Sequence, residues 1–133
     1  MLSVRNKTKA KLPNWPWNKV VTAILGDKYE VSLVFATPAI SQGLNKKHRG
    51  KSYVPNILAF PLDKDWGEIF ITPSVAKAEA KDFHHTYREQ ILFLFVHGLL
   101  HLKGLTHGST MERKEQEFFK LFSSTNETPR HRT

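Results

Sequence analysis

The chain has 133 residues, long enough for one self-sufficient core and too short for two comfortable domains. It contains no cysteine, which excludes a disulfide scaffold, a thiolate zinc site, an iron–sulfur cluster and a cysteine nucleophile together. Its 20 Lys+Arg against 12 Asp+Glu give a formal charge of +8. That excess favours polyanions, nucleic acid first and an anionic membrane surface second; a basic protein that is merely soluble is the plain alternative.

The first residues, Met1 to Lys11, are polar and basic with no apolar run of signal-peptide length behind them. Residues 1–12 are expected to be flexible. Asn14 or Asn18 is positioned to cap a short helix through Lys19-Val20-Val21-Thr22-Ala23-Ile24-Leu25 that Gly26 ends. Tyr29 to Thr37 reads as a strand, with β-branched and aromatic residues in near alternation. Thr37-Pro38 has the form of a cap followed by a first-turn proline, opening a helix that runs to Lys47 and stops by Gly50. Asn56 to Phe60, between Pro55 and Pro61, and Gly67 to Ile71, closed by Pro73, read as two more strands bounded by prolines.

Ser74 to Asp82 is alanine-rich and helical in character. Tyr87 to Lys103 is the strongest helix, apolar nearly all round and therefore buried, with Gly104 as its stop. Thr110 to Phe122 gives a last amphipathic helix, and residues 123–133 form a polar tail expected to be flexible. The pattern predicts a single α+β domain over 1–133, with a small mixed sheet of about four strands packed with about five helices. The most apolar stretch, Ile91 to Leu102, is broken by His97 and His101 and falls short of the ~20 residues that span a bilayer. No membrane association is expected, and the domain is read as soluble and cytoplasmic.

Three of the seven histidines, His97, His101 and His107, lie within eleven residues. His97 and His101 are at i and i+4, about 40° apart around a helix and one turn apart along it. Two imidazoles so placed can reach one metal ion at about 2.0–2.1 Å from each nitrogen. Gly104 lets the chain leave the helix, and His107 can approach the same point from outside it. Three protein ligands leave a fourth tetrahedral position open, the pattern of a catalytic rather than a structural zinc. Two polar rings on a buried apolar helix would be costly without such a partner. One divalent metal ion is therefore expected, with zinc its expected identity. Metzincin proteases share this spacing but carry Glu directly after the first His, where this chain has Gly98. Glu68, Glu89 and Glu112 are the available carboxylates, and nothing in their spacing recommends them.

The run His97-Gly98-Leu99-Leu100-His101-Leu102-Lys103-Gly104, followed by His107, resembles the mark of the YbeY family, the bacterial endoribonucleases of rRNA maturation. Earlier segments agree in order: Leu44-Asn45, Arg49-Gly50-Lys51, Asn56 to Pro61, Gly67 to Ile71, and Thr72 to Ala80. The likeness runs from about Tyr29 to Leu121. This chain has Thr106, Ala59, Pro55 and Glu68 where the family usually has Asp, Ser, Thr and Asp. The resemblance implies a metal-dependent, single-strand-specific endoribonuclease that matures the 3′ end of 16S rRNA and serves ribosome quality control. Its implied partners are single-stranded RNA, rRNA and the ribosome or ribosome-associated proteins. Nothing in the sequence speaks to oligomeric state.

Lys46-Lys47-His48-Arg49-Gly50-Lys51 is the densest cationic cluster. The resemblance singles out Arg49 as the functional member near the metal, and its planar fork suits a phosphate held bidentately. Lys46, Lys47 and Lys51 would add attraction along the RNA backbone, or simply favour the dipole at a helix C-terminus. Trp15, Trp17 and Tyr53 are candidates for base stacking, though such residues more often belong to a core. His84-His85 reads as a surface pair at a helix start. Two rivals to the nuclease reading remain: a non-catalytic RNA-binding ribosome-assembly factor with a structural metal, and a metallopeptidase.

Overall fold

The computed structural model describes residues 1–125. In chain order these form β1 (Leu2–Asn6), α1 (Trp17–Leu25), β2 (Glu30–Phe35), α2 (Pro38–Arg49), β3 (Ile57–Asp63), β4 (Trp66–Ile71), α3 (Pro73–Glu79), a 3-10 turn (Ala80–Phe83), α4 (Tyr87–Lys103) and α5 (Ser109–Thr125). The four strands make one mixed sheet in the order β1-β2-β4-β3, with β3 antiparallel to β4 and the other pairs parallel. The expected α+β architecture, four strands with five helices, is the one observed.

Registered residues share a face of the sheet. Val31 sits opposite Gly67, Leu33 opposite Ile69, and Phe35 opposite Ile71, while Ile57 and Ala59 extend that face onto β3. This is the core face, and α4 lies on it. The approach is close enough that a Cβ on Gly98 would stand 2.8 Å from Ile57 Cδ1 and 3.1 Å from Ile69 Cδ1. On the strand side, a Cβ on Gly67 would stand 2.7 Å from a Leu102 methyl. Two missing side chains therefore let helix and sheet meet. The opposite face is covered in part by α2, whose His48 ring packs on Phe60 with centroids 5.0 Å apart. Buried Ser41 on α2 is linked to Thr72, whose hydroxyl lies 2.6 Å from the Ser41 Oγ and 2.8 Å from the Pro55 carbonyl.

Helix α4 occupies the span predicted for it because both ends carry strong local signals. Thr86 accepts from the Glu89 backbone N–H while the Glu89 side chain accepts from the Thr86 N–H, a reciprocal capping box. At the other end Gly104 adopts φ 107, a left-handed conformation open to glycine. Helix α4 packs against α1, α3, α5 and the sheet, so its nearly all-apolar surface is buried.

Four expectations need correction. The supposedly flexible 1–12 segment contains β1, held by β2 and by the terminal amine, which donates to the Tyr29 carbonyl at 2.7 Å. Neither Asn14 nor Asn18 caps α1; Pro16 stands at the cap position, and Asn18 lies inside the helix. Pro61 does not end β3, which continues to Asp63. As an edge strand, β3 has a ladder on one side only, where a residue without an N–H is tolerated. The tail expected to be flexible, 123–133, begins inside α5, and residues 126–133 lie outside the described residues.

Candidate metal centre

The side-chain nitrogens of His97, His101 and His107 lie within 4.8 Å of one another. The ring centroids are 4.7 Å apart for His97 and His101, and 5.7 Å from each of these to His107. Helix geometry stacks the first two rings on one face of α4. The turn at Gly104 reverses the chain so that His107, just before α5, swings back over them. Three nitrogens this close lie within the span of a single ion bound at about 2.0–2.1 Å from each after modest side-chain adjustment. The donor set fits: three imidazoles with none of the soft ligands that would select another metal class.

One imidazole already has its outer nitrogen engaged. His97 Nδ1 is hydrogen-bonded to the Glu115 carboxylate, which is itself 7% exposed. A carboxylate that accepts from Nδ1–H fixes the tautomer, so Nε2 carries the free lone pair for a ligand. At His101, burial of the ring comes first, followed by its neighbours His97 and His107, in holding the pKa below the ordinary 6.5. Glu115 and a backbone contact at Leu105 pull the other way. The net effect favours the neutral ring, the form that can donate to a metal.

These rings open into a cavity of about 550 Å³ whose walls include Arg49, Asn56, Ile57, Phe60, Phe93 and Leu94. Arg49, at the last turn of α2, is held from two sides. Its guanidinium donates to Asn45 Oδ1 at 3.3 Å and to the Tyr53 hydroxyl at 3.4 Å. Asn45 is fully buried, and its Nδ2 donates to the Tyr53 carbonyl at 3.0 Å, so one carboxamide ties the arginine to the turn that follows it. Gly50 makes that turn with φ 67. Lys46, Lys47 and Lys51 are exposed at the same helix end and do not line the cavity.

Other candidates fall elsewhere. Trp15 is buried, donates to the Arg88 carbonyl at 2.9 Å and carries the Arg88 guanidinium 3.7 Å from its ring centroid. Trp17 packs edge-on against Phe95 at 5.1 Å. Both tryptophans serve the core, whereas Tyr53 is 54% exposed beside Arg49. Glu89 caps α4, Glu112 is exposed on α5, and Glu68 lies on the sheet face away from α4. The carboxylate at the site is Glu115, which the spacing argument missed. A signal did exist: Met111, Phe118 and Phe122 mark the apolar stripe of α5, and Glu115 falls on it, an acid where an apolar residue would be expected. His84-His85 is only half a surface pair, because His85 is packed among phenylalanines.

Fold and site together define a small mixed-sheet α+β domain with a three-histidine candidate metal centre and an arginine in one cavity. The family profile described as "Endoribonuclease YbeY" matches residues 3–125, and the chain belongs to the YbeY family. It is 32% identical over 106 residues to an endoribonuclease YbeY of Mesoplasma florum, covering 71% of this chain and 62% of that one. To the YbeY of Francisella philomiragia it is 31% identical over 136 residues, covering 90% and 86%. To that of Campylobacter jejuni it is 33% identical over 111 residues, covering 77% and 82%. The matched stretch thus spans under two thirds of some relatives and more than four fifths of others. A solution structure of TM1509 from Thermotoga maritima shares the fold, with a TM-score of 0.64 at 22% identity, covering 98% of this chain and 99% of that one. Among the described residues, no helix is long and apolar enough to cross a membrane.

Proposed function

We propose that this chain is a metal-dependent endoribonuclease that cleaves single-stranded RNA in the cytoplasm, maturing the 3′ end of 16S rRNA and serving ribosome quality control. The observation that carries this reading is the convergence of His97, His101, His107 and Arg49 on one cavity in a chain of the YbeY family. The three imidazoles would hold the ion, and zinc fits an all-nitrogen donor set. When bound, such an ion supplies Lewis acidity and a water activated at neutral pH.

The chain's own residues do the rest. Glu115 keeps the proton on His97 Nδ1 and leaves Nε2 to bind. Arg49 presents its guanidinium to the scissile phosphate and stabilises negative charge growing on a phosphoryl oxygen. Asn45 and Tyr53 hold that guanidinium before substrate arrives, so little reorganisation is required at the moment of reaction. The apolar walls, Ile57, Phe60, Phe93 and Leu94, lower the local dielectric and strengthen these interactions. Lys46, Lys47 and Lys51 add screened attraction for the RNA backbone and, in the cell, for ribosomal partners.

Purified protein incubated with a single-stranded RNA oligonucleotide should cleave it, lose that activity to a chelator and regain it with added zinc. His101→Ala should lose bound metal and cleavage together. RNA binding without cleavage, unchanged by loss of metal, would instead indicate an assembly factor. Chelator-sensitive digestion of casein with intact RNA would indicate a peptidase.

A further inference from the structure

Beside the cavity lies a group of aromatic rings that the reaction as described does not use. The 3-10 turn Ala80–Phe83 ends at His84, a non-glycine residue with φ 58, a left-handed conformation such residues rarely adopt. The reversal brings Phe83 and His85 onto one side of the chain. Their rings are inclined at only 25° with centroids 5.9 Å apart. His85 lies in turn on Phe119 at 4.7 Å and 29°. The His85 plane is fixed by its Nδ1, 2.8 Å from the side-chain oxygen of fully buried Gln90. Three rings from the 3-10 turn, the loop after it and α5 thus form one near-parallel stack.

Phe93 touches every ring of that stack, at 5.7 Å, 5.6 Å and 6.0 Å, and also lines the cavity with His97 and Arg49. Core packing accounts for Phe93 and Phe119, which are half-buried. It does not account for Phe83, which is 47% exposed at the end of the stack and is the one exposed phenylalanine of nine. We propose that Phe83, His85 and Phe119 form a stacking subsite for a nucleobase of single-stranded RNA, one that flanks the phosphate held in the metal cavity. This rests on the cavity being an RNA site. A flat π-face accepts any base without reading its edge, and purines, with the larger ring system, gain most. On a chain of charge +8, electrostatics draws the phosphates while the stack captures a base.

The test is binding of an uncleavable 2′-O-methyl oligoadenylate octamer, followed by fluorescence anisotropy. Phe83→Leu, which keeps apolar bulk and removes the ring, should weaken binding about tenfold. Phe83→Trp should bind within twofold of wild type, and both variants should keep the wild-type melting temperature. The loss with Phe83→Leu should be smaller for an oligouridylate. Phe83→Leu binding as tightly as wild type, or Phe83→Trp failing as Phe83→Leu does, overturns the proposal. The two readings separate cleanly: Phe83-dependent binding by a wild-type protein that never cleaves RNA sinks the nuclease and keeps the subsite. Cleavage together with Phe83-independent binding sinks the subsite alone.

Discussion

Removal of the Glu115 carboxylate should loosen the candidate metal centre without touching any of its three histidines. Glu115 is 7% exposed and is hydrogen-bonded to His97 Nδ1, so its loss frees that ring to rotate and to place its proton on either nitrogen. Groups that orient a metal-binding histidine in this way typically contribute 10–100-fold in metal affinity, or about 1.4–2.8 kcal/mol. Glu115→Ala should lose that amount, measured by competition against a chromophoric chelator, a readout independent of catalysis. Glu115→Gln keeps an acceptor of the same shape and should fall between Ala and wild type. Glu112→Ala, at an exposed position on the same helix, should match wild type. If Glu115→Ala competes for zinc within twofold of wild type, the carboxylate is a helix-packing feature and the orienting role is wrong.

Arg49→Lys keeps the charge and loses the fork, so RNA cleavage should fall partially; Arg49→Glu should lose about 10²–10³ in rate with any bound-metal content unchanged. Cleavage by Arg49→Glu within a few-fold of wild type would reduce Arg49 to a helix-end cation. Gly98→Val would drive a branched side chain into Ile57 and Ile69, already 2.8 Å and 3.1 Å from a modest Cβ, and should destabilise by about 1–3 kcal/mol, read as a melting temperature lower by several degrees. The His101 pKa lies below its unfolded value of 6.5, so between the two the unfolded chain binds more protons and acidification favours unfolding. The metal-free protein should lose denaturant resistance as pH falls from 6.5 toward that lowered value, with no further His101 contribution below it. His101→Asn should flatten this dependence; an identical slope would refute the assignment.

How legible each element was in the sequence follows from where its stabilisation resides. The bounds of α4 could be read because Thr86, Glu89 and Gly104 act on residues within a turn of themselves. Strand β1 could not, because its five residues are mostly exposed and it exists through pairing with β2, about thirty residues away in sequence. The first turn of α1 misled for a related reason: Asn14 and Asn18 are good caps by type, but Trp15 is pinned to Arg88 on α4, and that tertiary anchor sets where the helix begins.

The site divides along the same line. His97 and His101 share a helix face by local geometry, and the glycine after them permits the return of His107, so the cluster follows from spacing. The meeting of that cluster with Arg49 depends on β3, the edge strand that forms one wall between α2 and α4; no local pattern encodes it, and only the family resemblance anticipated it. The lysines illustrate the remaining ambiguity. A cation in the last turn of α2 is favoured by the helix dipole whether or not RNA ever binds, so residue type alone cannot separate Lys46 and Lys47 from Arg49. What separates them is support. Arg49 alone lines the cavity, and it is braced by a fully buried asparagine and a tyrosine hydroxyl. Burying Asn45 is tolerable because its Oδ1 accepts from Arg49 and its Nδ2 donates to the Tyr53 carbonyl, and that buried brace marks the exposed guanidinium as a placed group.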